Sequence, residues 1–81
     1  MTVAKFNVLD FHEQIFFALD ANYIADRIKN QYQVYLYYLD GIFVEIWYHL
    51  SQDEVIRFSA FMESHFLEPY LEFIYLAHLE E

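Results

Sequence analysis

Apolar residues follow two different rhythms along this chain. From Asn7 to about Leu19, Phe11, Ile15, Ala18 and Leu19 recur at spacings of three and four, which predicts a helix. Asn7 can cap it, and Asp10 and Glu13 fall in its first turns, where the helix dipole favours acids. From Asn30 to Met62 the chain is dense in Tyr, Val, Ile, Phe and Trp, residues that suit a pleated, half-buried surface. Asp40-Gly41 is flanked on both sides by such residues and predicts a tight β-hairpin. The polar cluster Ser51-Gln52-Asp53-Glu54 then sets off a third strand, Val55 to Phe61, giving an antiparallel meander in sequence order.

Tyr23 to Lys29 fits two patterns. Phe17, Ala21, Ile24 and Ile28 extend the helical spacing, whereas Tyr23 to Ile28 can also pair back across Lys29-Asn30 as an edge strand. The strand is the preferred reading for residues 22–29, because Asp26, Arg27 and Lys29 on an edge would discourage pairing with foreign chains. Phe66 to Leu79 returns to helical spacing through Leu67, Leu71, Ile74 and Leu79, with Ser64 or His65 at its start and Pro69 in its first turn. The expected fold class is α+β: an N-terminal helix, an antiparallel meander of three or four strands and a C-terminal helix, in one domain over residues 1–81.

A two-residue turn at Asp40-Gly41 pairs Leu39 with Ile42 and Tyr37 with Val44. One sheet face then carries Tyr35, Tyr37, Leu39, Ile42, Val44, Ile46 and Tyr48, and should pack under the helices. The other carries Tyr32, Val34, Leu36, Tyr38, Phe43 and Trp47, interrupted by Glu45 and His49, with Arg57 and Ser59 expected on the next strand. Two apolar faces must both be covered, by a helix each or by a second copy of the chain. The small size favours the second copy.

Composition sharpens this expectation. Nine Phe, eight Tyr and one Trp in 81 residues are too many for one small interior, so some must lie at the surface or against another chain. There is no cysteine to compensate with disulfides. Thirteen acids against four Lys and Arg give a net charge of −9, which disfavours phosphate backbones and anionic lipid surfaces as direct partners. No run approaches the roughly 18 to 20 apolar residues of a membrane span, and the N-terminus lacks the apolar region of a secretory signal, so a cytoplasmic location is expected.

Candidate chemistry is sparse. His65, Glu68 and Glu72 would share one helix face, but acids in a first helical turn are expected for dipole reasons alone. His12 and Glu13 are sequence neighbours and point apart on a helix. Glu45, Trp47 and His49 share a strand face that Arg57 can approach, which makes Glu45, His49 and Arg57 the one polar cluster of interest. Alternate strand residues are nearly 7 Å apart, so Glu45 and His49 stand about 13 Å from each other and cannot share a proton. A Glu45–Arg57 ion pair is the plainer expectation. One glycine cannot build a phosphate-cradling loop, and Ser51, Ser59 and Ser64 lie in no nucleophile-elbow context. No catalytic, cofactor-binding or metal-binding residue is therefore expected.

Leu39-Asp40-Gly41-Ile42-Phe43-Val44-Glu45-Ile46-Trp47-Tyr48, followed by Val55-Ile56-Arg57-Phe58 and Leu67-Glu68-Pro69-Tyr70-Leu71, resembles a group of short bacterial proteins of unknown function. Their pattern is a turn, aromatic-x-Val-Glu-Val-Trp-Tyr, a polar turn, a basic strand and Leu-Glu-Pro-Tyr-Leu. This chain departs from it at His49-Leu50, where the group has Asp-Pro, and at Ser59, where the group has a basic residue. The resemblance implies strand, turn, strand, helix over residues 39–71 and no chemistry.

The function expected is that of a non-catalytic acidic interaction module, a homodimer or a subunit of a complex, meeting its partner through Tyr32, Val34, Leu36, Tyr38, Phe43 and Trp47. Two alternatives come from other classes. One is a small-ligand-binding protein or enzyme with an aromatic-lined pocket; the other is an acidic mimic of nucleic acid.

Overall fold

The computed structural model describes residues 1–71, and its N-terminal part holds two helices where the spacing predicts one: α1 (Val3–Asn7) and α2 (Phe11–Ala18). The break lies in capping chemistry. The Asp10 carboxylate accepts the Glu13 N–H at 2.9 Å, and the Glu13 side chain accepts the Asp10 N–H at 3.2 Å. This reciprocal capping box satisfies two backbone donors that a helix start leaves bare, so α2 begins at Phe11. Asn7 ends α1 instead of capping a longer helix, and the Thr2 hydroxyl caps α1 by accepting the Lys5 N–H.

Four strands follow: β1 (Asn22–Lys29), β2 (Tyr32–Leu39), β3 (Ile42–His49) and β4 (Glu54–Phe61), antiparallel and in the order β1-β2-β3-β4. Residues 22–29 are strand. The turns carry the residues that tolerate positive φ, Asn30 at 55°, Asp40 at 43°, Gly41 at 94° and Asp53 at 56°. Two successive positive φ values at Asp40-Gly41 make the tight mirror-image turn whose twist suits a hairpin. Leu39 pairs with Ile42 and Tyr37 with Val44, as a two-residue turn requires.

Each sheet face has its own apolar cluster. On one, Phe6 from α1 lies wholly buried against Leu39, Ile42 and Val44, with Phe17, Ala21 and Phe58 packed around them. On the other, Ala25, Leu36 and Phe61 pack with Tyr70, which arrives on a 3-10 helix, Ser64–Tyr70. The closing helix expected from Phe66 thus starts as 3-10 geometry at Ser64, and its positions beyond Leu71 lie outside the described residues. The second face is therefore covered in part by the chain's own segment. Among the described residues, no helix is long and apolar enough to cross a membrane.

Candidate functional site

A carboxylate among apolar strand neighbours has to find partners or pay a large desolvation cost. Glu45 is buried on β3, opposite Leu36 on one side and Ser59 on the other. Its Oε2 accepts a hydrogen bond from the Tyr70 hydroxyl and another from Arg27 Nη2 at 3.3 Å. One oxygen thus joins β1, β3 and the 3-10 helix. Burial, and then the bond to Glu45, push the Tyr70 hydroxyl well above the usual tyrosine range, with Arg27 opposing the shift, so Tyr70 is a protonated donor at neutral pH.

The partner of Glu45 is Arg27 and not the expected Arg57, for a reason of register. Arg57 stands opposite Trp47, while Ser59 stands opposite Glu45. The Arg57 guanidinium lies 4.3 Å from the Trp47 ring centroid, and that of Arg27 lies 5.6 Å from the same ring and 5.1 Å from Tyr70. Cations and aromatic rings attract at such distances.

His49 belongs to a different unit. Its Nδ1 accepts the Gln52 N–H at 3.1 Å and lies 3.2 Å from the Ser51 hydroxyl, so it closes the turn between β3 and β4. An Nδ1 that accepts leaves the neutral ring's proton on Nε2. The ring meets Tyr32 edge-on, with centroids 5.2 Å apart. Glu45, His49 and Arg57 share one sheet face, but they serve three separate contacts.

The six aromatic-face residues divide in the same way. Val34 and Leu36 are wholly buried within one chain, and Trp47 nearly so. Phe43 is half-buried, stacked on Phe61 at 5.5 Å and edge-on to Tyr38 at 5.6 Å. Tyr32 is half-buried, and Tyr38 alone of the six is exposed.

Beside Glu45 opens a cleft of about 590 Å³, bordered by strand residues and by the segment after β4. Arg27, Lys29, Trp47, Arg57, Phe61 and Phe66 lie along it. Two donors buried here, Arg27 Nε and Trp47 Nε1, have no hydrogen-bond partner among the described residues. Such groups are costly to leave unmet.

One surface was not anticipated from the sequence. Helix α2 buries none of its residues, and Phe11, Phe16 and Leu19 are 41%, 64% and 78% exposed. The helix is turned by Gln14, whose Nε2 donates to the Phe6 carbonyl at 3.2 Å, so that Gln14, Phe17 and Ala18 face inward. The signal was the run Ile15-Phe16-Phe17-Ala18-Leu19, since five consecutive apolar residues cannot all face one sheet.

His12 is exposed on α2, and Glu13 is engaged in the capping box. His65 packs on Phe66, and Glu72 lies outside the described residues. Among the described residues, no three of His, Cys, Asp and Glu come together as metal ligands would. Comparison of the chain with models of protein families, with curated proteins and with solved structures finds no match.

Proposed function

We propose that the chain is a non-catalytic, acidic interaction module that acts as a homodimer, joined through the outer side of α2. The observation that carries this reading is that α2 carries three Phe and an Ile yet has no buried residue. Val8 before it and Leu19 after it extend the exposed apolar surface. Patches of this kind on small domains mark interaction sites. The capping box fixes α2 in advance, which lowers the ordering cost of docking on it. A second copy fits because a two-fold contact needs only one self-complementary patch.

Light scattering over a dilution series tests the proposal. The wild type should have the mass of two chains. Phe16→Ser combined with Leu19→Ser should halve that mass and leave the circular dichroism unchanged, since both side chains are exposed. Tyr38→Ser, on the sheet's opposite side, should leave the mass at two chains. A wild type at one-chain mass throughout would overturn the dimer, and a dimer indifferent to the α2 changes would overturn its interface.

A further inference from the structure

We infer that the cleft beside Glu45 binds a small aromatic carboxylate. The register builds the site: Arg27, Val34, Trp47 and Arg57 form one row across all four strands on the same face. Val34 is small, so the Arg27 guanidinium can reach over β2 toward Trp47, while Arg57 reaches the same ring from the opposite edge. Lys29 follows on β1. Three of the chain's four Lys and Arg therefore border one cleft.

Charge makes this concentration informative. The lining holds three cations, Arg27, Lys29 and Arg57, against two acids, Glu45 and Glu63, which leaves +1 in a chain whose net charge is −9. Only Arg27 is in an ion pair; Lys29 and Arg57 have none among the described residues. A cleft of net positive charge attracts a small anion. Arg27 Nε and Trp47 Nε1 both lack an acceptor among the described residues, and a carboxylate brings acceptor lone pairs and nothing to donate. Phe61 and Phe66 offer apolar wall to a flat ring, and about 590 Å³ suits a small molecule. A singly charged carboxylate matches the +1 lining, whereas a doubly charged phosphate exceeds it and would be repelled more strongly by Glu45 and Glu63.

Trp47 is the chain's single tryptophan, so its fluorescence and its one indole N–H resonance both report on the cleft. Benzoate titrated into the intact protein should produce a saturable fluorescence change and move the indole N–H downfield as Nε1 gains an acceptor. Benzamide, its neutral counterpart, should bind at least about tenfold more weakly, and phenyl phosphate should bind more weakly than benzoate. Lys29→Gln should weaken benzoate about threefold to tenfold, and so should Arg57→Gln. Lys29 does not touch Trp47's ring in a cation contact, so its variant gives an undisturbed reporter, and Phe16→Ser should bind as the wild type does. No saturable change up to about 10 mM benzoate, equal binding of benzamide, or indifference to both cation variants would overturn the site. Tighter binding of phenyl phosphate would overturn the choice of carboxylate.

Discussion

Tyr23 and Tyr70 hold their protons for different reasons. The exposed Tyr23 hydroxyl donates to Asp26 Oδ2 at 2.5 Å, and Gln33 Nε2 steadies the other oxygen of Asp26 at 3.0 Å. That bond first, and burial second, push Tyr23 up to about 12. Tyr70 is raised chiefly by burial. A folded pKa above the unfolded value, about 10 for tyrosine, means that the unfolded chain loses the proton first. The contribution is complete below pH about 10 and is lost as pH rises through the folded values. In an absorbance titration of the tyrosinates, Tyr23 and Tyr70 should therefore ionise late, close to alkaline unfolding. Asp26→Asn should remove one late step by lowering Tyr23, and Tyr70→Phe should remove the other. A titration with no late step while the fold is intact would refute both assignments. Gly41 raises a separate residue-level question. A Cβ there would meet nothing nearer than the Met1 carbonyl oxygen at 3.9 Å, so Gly41→Ala should cost only the backbone strain of φ 94°, about 1–2 kcal/mol in urea unfolding.

At the scale of elements, the bonds of Arg27 and Tyr70 to Glu45 tie an edge strand and a 3-10 helix to a central strand. Glu45→Gln leaves the partly buried Arg27 without its counter-charge and should destabilise the fold by about 3 kcal/mol. Replacing all three polar groups together, Arg27→Met with Glu45→Leu and Tyr70→Phe, should restore stability to within about 1–2 kcal/mol of wild type, because no polar group is then stranded. Urea unfolding of the wild type, Glu45→Gln, the triple variant and its three component single variants checks this. Losses that add up through the triple variant would mean the groups are not coupled. The strands were legible in the sequence because turn residues fixed their register: Asp40-Gly41 set β2 against β3, and Asn30 allowed β1 to fold back. The Arg27–Glu45 pair was not legible, because Arg27 reaches over an intervening strand, while sequence proximity favours a neighbour on β4. The split of the N-terminal helix was written in Asp10 and Glu13, three apart, a pattern that outcompetes a lone Asn7 cap.

For the whole molecule, composition alone said that aromatic residues must reach the surface, but their location depended on what covers the second sheet face. Tyr70 covers part of it, and a residue 25 positions beyond Glu45 is not placed there by local pattern. Among the described residues α2 leaves an apolar surface uncovered, and the net charge of −9 sets how a dimer on that surface should respond to salt. Two copies of an acidic chain repel each other over distances that salt shortens, from a Debye length of about 30 Å at 0.01 M to about 10 Å at 0.1 M. Apolar contact is not weakened by such screening. Homodimer affinity should therefore rise as sodium chloride is increased from about 20 mM to about 300 mM, read as a falling dissociation constant in sedimentation or light scattering. Weakening with salt would mean that opposite charges drive the contact. The basic cleft on one copy taking the acids of another would then be the interface to test, and Lys29→Gln with Arg57→Gln, rather than the α2 substitutions, would dissolve the dimer.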